Sequence, residues 1–199
     1  ALARRAAPGI AWCRGRAEAL PWADGTFDAV LSQFGLMYFP DPDAALRDML
    51  RVLRPGGRLG VAVWASLERT EVYPELVALL GRMVGERAAA ALAAPFALGG
   101  AEVLAGLLRS AGAGDVRVTE QPGRARFPSL RALLEAELRG WLPLTGVVLE
   151  EARIAEILAA SEAVLAPRVD ADGVLDFAAP ALVASGLRYP SAHRDGPAP

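Results

Sequence analysis

Between residues 26 and 64 two apolar runs, 27–32 and 59–64, flank one short helical stretch and its stop. That spacing limits the fold more than any other feature of the chain. Strand, crossover helix and strand in so few residues pair in parallel with a right-handed connection. The helix is marked at both ends: Asp41 can cap it, Pro42 stands in the first turn where a missing N–H costs nothing, and Pro55-Gly56-Gly57 ends it. Ala45, Leu46, Met49, Leu50 and Leu53 recur at helical spacing, while Arg47, Asp48 and Arg51 point away from that stripe. Residues 27–32 are apolar at consecutive positions apart from Asp28, the pattern of a strand buried on both faces beneath helices.

The flanking chain supplies further elements of the same kind. Residues 1–7 read as the last turns of a helix, with Arg4 and Arg5 suited to its carboxyl end and Pro8-Gly9 as the stop. A short strand is expected at 10–14, then a loop from Gly15 to Pro21 and a turn at Asp24-Gly25. Beyond Trp64, helices are predicted at 72–84, 87–92 and 102–111, with a break at Pro95-Phe96 and a stop at Gly112. Residues 116–120 alternate as a strand, which 124–127 extend or pair beside. Helices at 130–141 and 150–165, split by Pro143 and Gly146, lead to final strands at 174–177 and 181–187 and a loose tail, 189–199.

Composition narrows the function. A chain of 199 residues, 53% hydrophobic and 22% charged, can bury one sizeable core and is expected to form a single domain, 1–199. The net charge is −2 and no basic cluster stands out, so no nucleic-acid partner is expected. Every basic side chain is Arg, with no Lys and no Asn, which reads as codon bias rather than chemistry. The single cysteine, Cys13, excludes an intramolecular disulfide and fits a reducing, cytoplasmic setting. The one histidine, His193, lies in the tail, and without a Cys/His cluster no metal site is expected. No run of 18 apolar residues suggests a membrane span, and the first residues are not a signal sequence.

In an open parallel sheet, ligands bind outside the carboxyl ends of the strands. Two loop mouths lie there, 15–20 and 32–35. Ser32 and Gln33 follow an apolar run directly, where folding alone needs no polar group, and Phe34, Leu36, Met37, Tyr38 and Phe39 surround them with apolar surface. The plainer reading is a packed loop with a solvent-facing amide.

These same stretches carry a family resemblance. Gly15-Arg16-Ala17-Glu18-Ala19-Leu20-Pro21 is similar to the G-D-A-E-x-L-P motif of class I S-adenosylmethionine-dependent methyltransferases of the type 11 kind. Phe27-Asp28-Ala29-Val30 resembles their F-D-x-V strand, and Arg51 to Gly57 resembles their R-V-L-x-P-G-G turn. The three stand in the family's order. The resemblance implies an α/β, Rossmann-like methyltransferase sheet, mostly parallel with an antiparallel final strand, plus a helical insert. It divides the chain into a partial cofactor-binding core, 1–64, and the remaining sheet with its helical cover, 65–188.

It also implies S-adenosylmethionine as cofactor. The family's adenine side corresponds to Arg16, Ala17 and Glu18, and the methionine and methyl side to Ser32, Gln33 and Phe34. Arg16 stands where the family has an acid, and an arginine cannot accept a hydrogen bond from the adenine amine. Ala17 can offer its N–H, and Glu18 is the nearest replacement acceptor. Asp28, Pro55, Gly56 and Gly57 are expected to serve structure alone. The family's Gly-rich loop and the acid that holds the ribose have no counterpart here, so the chain is expected to be a fragment beginning after the first two βα units.

No catalytic base is named by the sequence. Methyl transfer depends mainly on orientation, with a base needed only for a tightly held proton. Glu68, Glu71, Tyr73, Arg139 and Trp141 are candidates for lining an acceptor pocket, each equally explained as a surface or packing residue. Residues 72–92 and 130–165 could form a lid, and their apolar faces suit burial or a homodimer contact. The function expected is methyl transfer to a small molecule. The alternative is a non-catalytic, methyltransferase-like binding protein, suggested by Arg16 and the incomplete site.

Overall fold

The computed structural model describes residues 2–189. Helix α1, Leu2–Ala6, leads by an irregular stretch to strand β1, Phe27–Gln33. Asp41 then opens helix α2, Pro42–Val52, from extended backbone, its carboxylate accepting from Ala44 N at 2.9 Å. Strand β2, Leu53–Trp64, follows without a linker. Pro55-Gly56-Gly57, expected to end the helix, lies inside β2 instead, because the helix has already ended at Val52; the segment is fixed by backbone demands. Gly56 sits at φ +79°, and a Cβ on Gly57 would lie 2.8 Å from Arg54 O.

β1 and β2 pair in parallel, with Ser32 opposite Val61 and Gln33 opposite Ala62. Helices α3, Tyr73–Met83, α4, Glu86–Ala93, and α5, Ala101–Ser110, precede strand β3, Ala113–Gln121. The chain then leaves the sheet for β4, Arg124–Phe127, α6, Leu130–Glu135, a π-helical segment, Ala136–Trp141, α7, Leu142–Leu144, α8, Glu151–Leu165, and β5, Leu175–Ala178. It returns as β6, Ala181–Arg188. β6 lies between β2 and β3 and runs antiparallel to both, giving the order β1-β2-β6-β3. The three other strands share one direction, as the resemblance implied, and the last strand is the antiparallel one.

Two apolar cores result. In the first, Leu46, Met49 and Leu50 of α2 and Leu104 and Leu108 of α5 pack on Leu59, Val61 and Val63 of β2 and Leu182 and Ala184 of β6. The second unites α3, α4, α6, α8 and β5 through residues such as Leu76, Leu80, Leu133, Ile157 and Phe177. This second unit caps one end of the sheet. Trp64, at the carboxyl end of β2, is opposite Ala181, and so is Gln121 at the carboxyl end of β3. The cap therefore departs from the end where ligands bind in such sheets, and Trp64 packs against its core.

Three expectations are overturned. Residues 10–14 form no strand: a strand exists through its ladder, and among the described residues none lies beside them. Trp12 there is 41% exposed. β1 is not buried on both faces: Leu31 is 78% exposed and Ala29 and Gln33 lie open with it, because α2 and α5 cover only the opposite face. Residues 124–127 neither extend β3 nor pair beside it; they pair antiparallel with β5 as a separate two-stranded sheet. His193 and all but the first residue of the expected tail lie outside the described residues.

Candidate functional site

At the mouth of β1, Ser32 is buried and Gln33 exposed. Phe34 then adopts φ +50°, a left-handed conformation that bulky residues rarely take. It is held there from two sides: its N–H donates to Ala62 O at 2.9 Å, and its ring stacks on Trp64 at 4.3 Å between centroids. Backbone outliers so held concentrate at ligand-bearing turns. Gly35 lets the turn close, since a Cβ there would lie 3.1 Å from Ser32 Oγ and 3.3 Å from the Phe39 ring.

The loop bearing Arg16, Ala17 and Glu18 is fastened by the polar face of α2. Leu20 N donates to Asp48 Oδ2 at 2.5 Å. Arg51 donates to Leu20 O at 3.0 Å, Trp22 O at 2.8 Å, Asp24 Oδ1 at 2.8 Å and Asp48 Oδ1 at 2.7 Å. The hydrogen bond from Arg51 holds the Asp48 carboxyl below its ordinary range, assisted by Leu20 N–H and opposed by partial burial. Facing away from the core thus means, for Asp48 and Arg51, facing this loop. Within it, the Arg16 side chain is 70% exposed, with Nε 3.4 Å from Glu18 Oε2. Glu18 is turned inward, and its Oε1 is shut from solvent with no hydrogen-bond partner among the described residues. Ala17 and Leu20 pack against the sheet core, as do Met37 and Phe39. No hydrogen bond joins the 16–18 trio to the 32–34 trio among the described residues.

Beyond Trp64 the cap and the sheet end line a partly open cavity of about 130 Å³, walled by Tyr38, Trp64, Tyr73, Phe96, Glu137 and Trp141. Glu137 and Trp141 lie on the π-helical segment, a geometry that recurs at functional sites. Tyr73 Oη donates to Glu137 Oε1 at 2.7 Å, and Trp141 Nε1 donates to Ala91 O at 2.9 Å. Tyr38 packs on Trp141 at 5.2 Å and Tyr73 on Phe96 at 4.9 Å. Burial raises the Glu137 carboxyl above its usual range, partly offset by the bond from Tyr73. Burial and then the Glu137 charge push the Tyr73 phenol far upward, and the Tyr38 phenol is raised by the same causes. An adjoining cavity of about 310 Å³ shares Trp64, Tyr73 and Phe96 and adds Ala125, Arg126 and Phe127.

Of the acceptor-pocket candidates, the fold brings Tyr73 and Trp141 together. Glu71 instead accepts from Ala178 N at 2.7 Å, Arg139 pairs with Glu151, and Glu68 lies exposed on a separate groove. Sequence reasoning missed Glu137, Trp64 and Phe96 as pocket residues; Tyr38 was expected in the apolar surround of the β1 mouth. A signal for Glu137 existed. It interrupts the apolar helical stripe of Leu130, Leu133, Leu134, Leu138 and Trp141.

Residues 1–61 match the family model described as a methyltransferase domain. With that match sits a sheet in which one antiparallel strand, the last, is inserted among parallel ones. This is a class I methyltransferase fold. A demethylmenaquinone methyltransferase from Beutenbergia cavernae is 49% identical over 63 residues, 32% of this chain and 26% of that protein. The chain thus spans about a quarter of the length of that relative in the match. A solved structure of a provisionally assigned methyltransferase from Bacillus halodurans aligns with TM-score 0.54 at 16% identity, over 92% of this chain and 79% of that one. Another such protein, from an antibiotic biosynthesis pathway of Anabaena variabilis, aligns with TM-score 0.59 at 16% identity, over 90% and 74% of the two chains. At this identity the likeness is one of fold. It extends the methyltransferase architecture from the matched N-terminal third across the cap.

Proposed function

We propose that this chain serves methyl transfer from S-adenosylmethionine to a small-molecule acceptor. The observation that carries the reading is the continuity of the strained turn with the cap cavity. Phe34, at φ +50°, stacks on Trp64, and Trp64 is a wall of the cavity that holds Glu137. The chain's residues fit the cofactor in their chemistry. The orphaned Glu18 Oε1 is an acceptor lacking a donor, suited to an exocyclic amine, and a buried polar atom of this kind calls for a partner. Arg16, Ala17 and Glu18 would hold the adenine edge, and Ser32, Gln33 and Phe34 the methionine side. Once bound, the cofactor supplies an electrophilic sulfonium methyl group. The turn and the aromatic walls would orient the acceptor and exclude water, which is where much of the acceleration of such a reaction arises. The Beutenbergia cavernae relative is named for methyl transfer to demethylmenaquinone, which supports a small-molecule acceptor as the class.

Calorimetry of the full-length protein with S-adenosylmethionine tests this reading; binding is expected, and its absence would sink it. Residues 1–199 alone offer the adenine edge and the methyl side, so their own affinity is expected to be weaker than about 1 μM. One observation favours a second reading, a non-catalytic binding protein: Arg16 occupies the adenine position and pairs with Glu18. Arg16→Asp separates the two. Tighter cofactor binding by that variant fits the enzyme, and no change in either protein's failure to bind fits the alternative.

A further inference from the structure

We propose that the cavity under the cap is the acceptor site, that Glu137 removes the acceptor's proton, and that the acceptor is a planar phenol or enol with an apolar or anionic substituent. The size comes first. An apolar cavity of about 150 Å³ takes one benzene ring, and the Glu137 cavity measures about 130 Å³ between aromatic walls. Its polar groups are the Tyr38 and Tyr73 hydroxyls, Trp141 Nε1 and the Glu137 carboxyl, and they are partly spent. Trp141 Nε1 is committed to Ala91 O, and Tyr73 Oη to Glu137 Oε1. Glu137 Oε2 has no hydrogen-bond partner among the described residues, yet is not sealed off. A ligand that satisfies this site is a flat ring carrying one acidic O–H.

The adjoining cavity settles the rest of the molecule. It is walled by Trp64, Phe96, Phe127 and Ala125, with Arg126 at its exposed side. Arg126 disfavours a cationic substituent by like-charge repulsion, so an ammonium-bearing acceptor is the poorer match. An apolar chain or a carboxylate suits the space.

The proton transfer balances within the site. The acceptor O–H bond breaks, its electron pair stays on oxygen, and the proton moves to Glu137 Oε2. One negative charge is present before and after, so the transfer adds no new buried charge. Tyr73 remains protonated throughout and anchors Oε1, acting as a positioning residue that leaves Oε2 toward the ligand. The phenolate or enolate produced is the nucleophile that a sulfonium methyl donor requires. Only that last use rests on the methyl-transfer reading above.

The test therefore needs no cofactor. 4-Nitrophenol changes colour on ionisation, so its visible spectrum reports where the proton is. Titrated into the purified protein below the phenol's own pKa, it is expected to bind with a phenolate spectrum. Glu137→Gln, with its fold checked by near-ultraviolet circular dichroism, is expected to bind within about tenfold but with the neutral spectrum. Tyr73→Phe is expected to bind the phenol more weakly yet keep the phenolate spectrum, because Glu137 loses the donor that positions it and becomes more basic without that hydrogen bond. An unchanged phenolate spectrum in folded Glu137→Gln overturns the proposal, as does failure of the unaltered protein to bind any phenol. Calorimetry with S-adenosylmethionine reports the methyl-transfer reading independently. A phenolate spectrum without cofactor binding would leave the pocket standing and remove its enzymatic use.

Discussion

The N-terminal third and the cap differ in opposite ways. Residues 2–64 carry every family motif and match curated relatives closely, yet β1 leaves Leu31 and Ala29 in the open. The cap carries no motif, but its core closes around Phe177, Leu133 and Leu134 and holds the cavity with Glu137. Motifs record what a shared fold demands of the backbone: a left-handed glycine, a close approach, a fastened loop. A cavity for one acceptor is made of side chains that any apolar sequence of the right size can approximate. Sequence likeness thus follows the N-terminal third, and individuality lies in the cap.

The contrast can be broken at four places. Phe177→Ala empties a site 1% exposed where the ring lies parallel to Phe127, and is expected to cost about 3–5 kcal/mol in urea unfolding. A loss under about 1 kcal/mol would mean that the cap core is loosely packed. Asp48→Ala leaves Leu20 N–H and much of the Arg51 fork without its acceptor, with an expected loss of about 1.5–3 kcal/mol at neutral pH. Its pH dependence has a definite sign. The folded pKa lies below the unfolded one, so the contribution is present above the unfolded value and lost as pH falls through the folded value. The difference between Asp48→Ala and the unaltered protein should shrink in acid.

Glu137 titrates in the other direction. Its folded pKa lies above the unfolded one, so stability is fullest below the unfolded value and declines as pH rises through the folded value. The facing titratable groups, Tyr73 and Tyr38, are raised phenols that stay neutral over this range. Glu137→Gln should therefore gain in melting temperature relative to the unaltered protein over the pH window that opens upward from the carboxyl reference of about 4.3. A constant difference across that window would place Glu137 in water. The smallest effect is expected at Leu31→Ser, within about 0.5 kcal/mol for a side chain 78% exposed. A larger loss would show that the open face of β1 is covered in solution.

Much of the fold was legible because its signals are local. Asp41, Pro42 and Gly56 act within a few residues of themselves, and the parallel pairing of β1 with β2 follows from the length between them. Burial of β1 was not legible in the same way. A consecutive apolar run states what a strand is suited to, and α2 and α5 both fall on one face. The same limit applied to 10–14, whose composition suits a strand that finds no neighbour among the described residues. In the candidate site, Arg16 to Glu18 and Ser32 to Phe34 were named from loop position and the family resemblance together, whereas Asp48 and Arg51 read only as a polar helix face. Tyr73 was named and the break that Glu137 makes in its helical stripe was passed over; their pairing, 64 residues apart in sequence, is a result of packing.

Gln121 and Ala181 are direct partners in the ladder between β3 and β6. The chain therefore exits the sheet and re-enters it at a single point, across one strand spacing of about 5 Å. In engineering terms this is a socket. Any segment whose two ends meet at that distance can be seated between these residues without disturbing the register on either side, at a closure cost that grows only slowly with its length. Arg126, Glu137 and Trp141 all belong to the present occupant, so exchanging it would exchange the walls of the proposed acceptor cavity and leave the loops at Glu18 and Phe34 where they are.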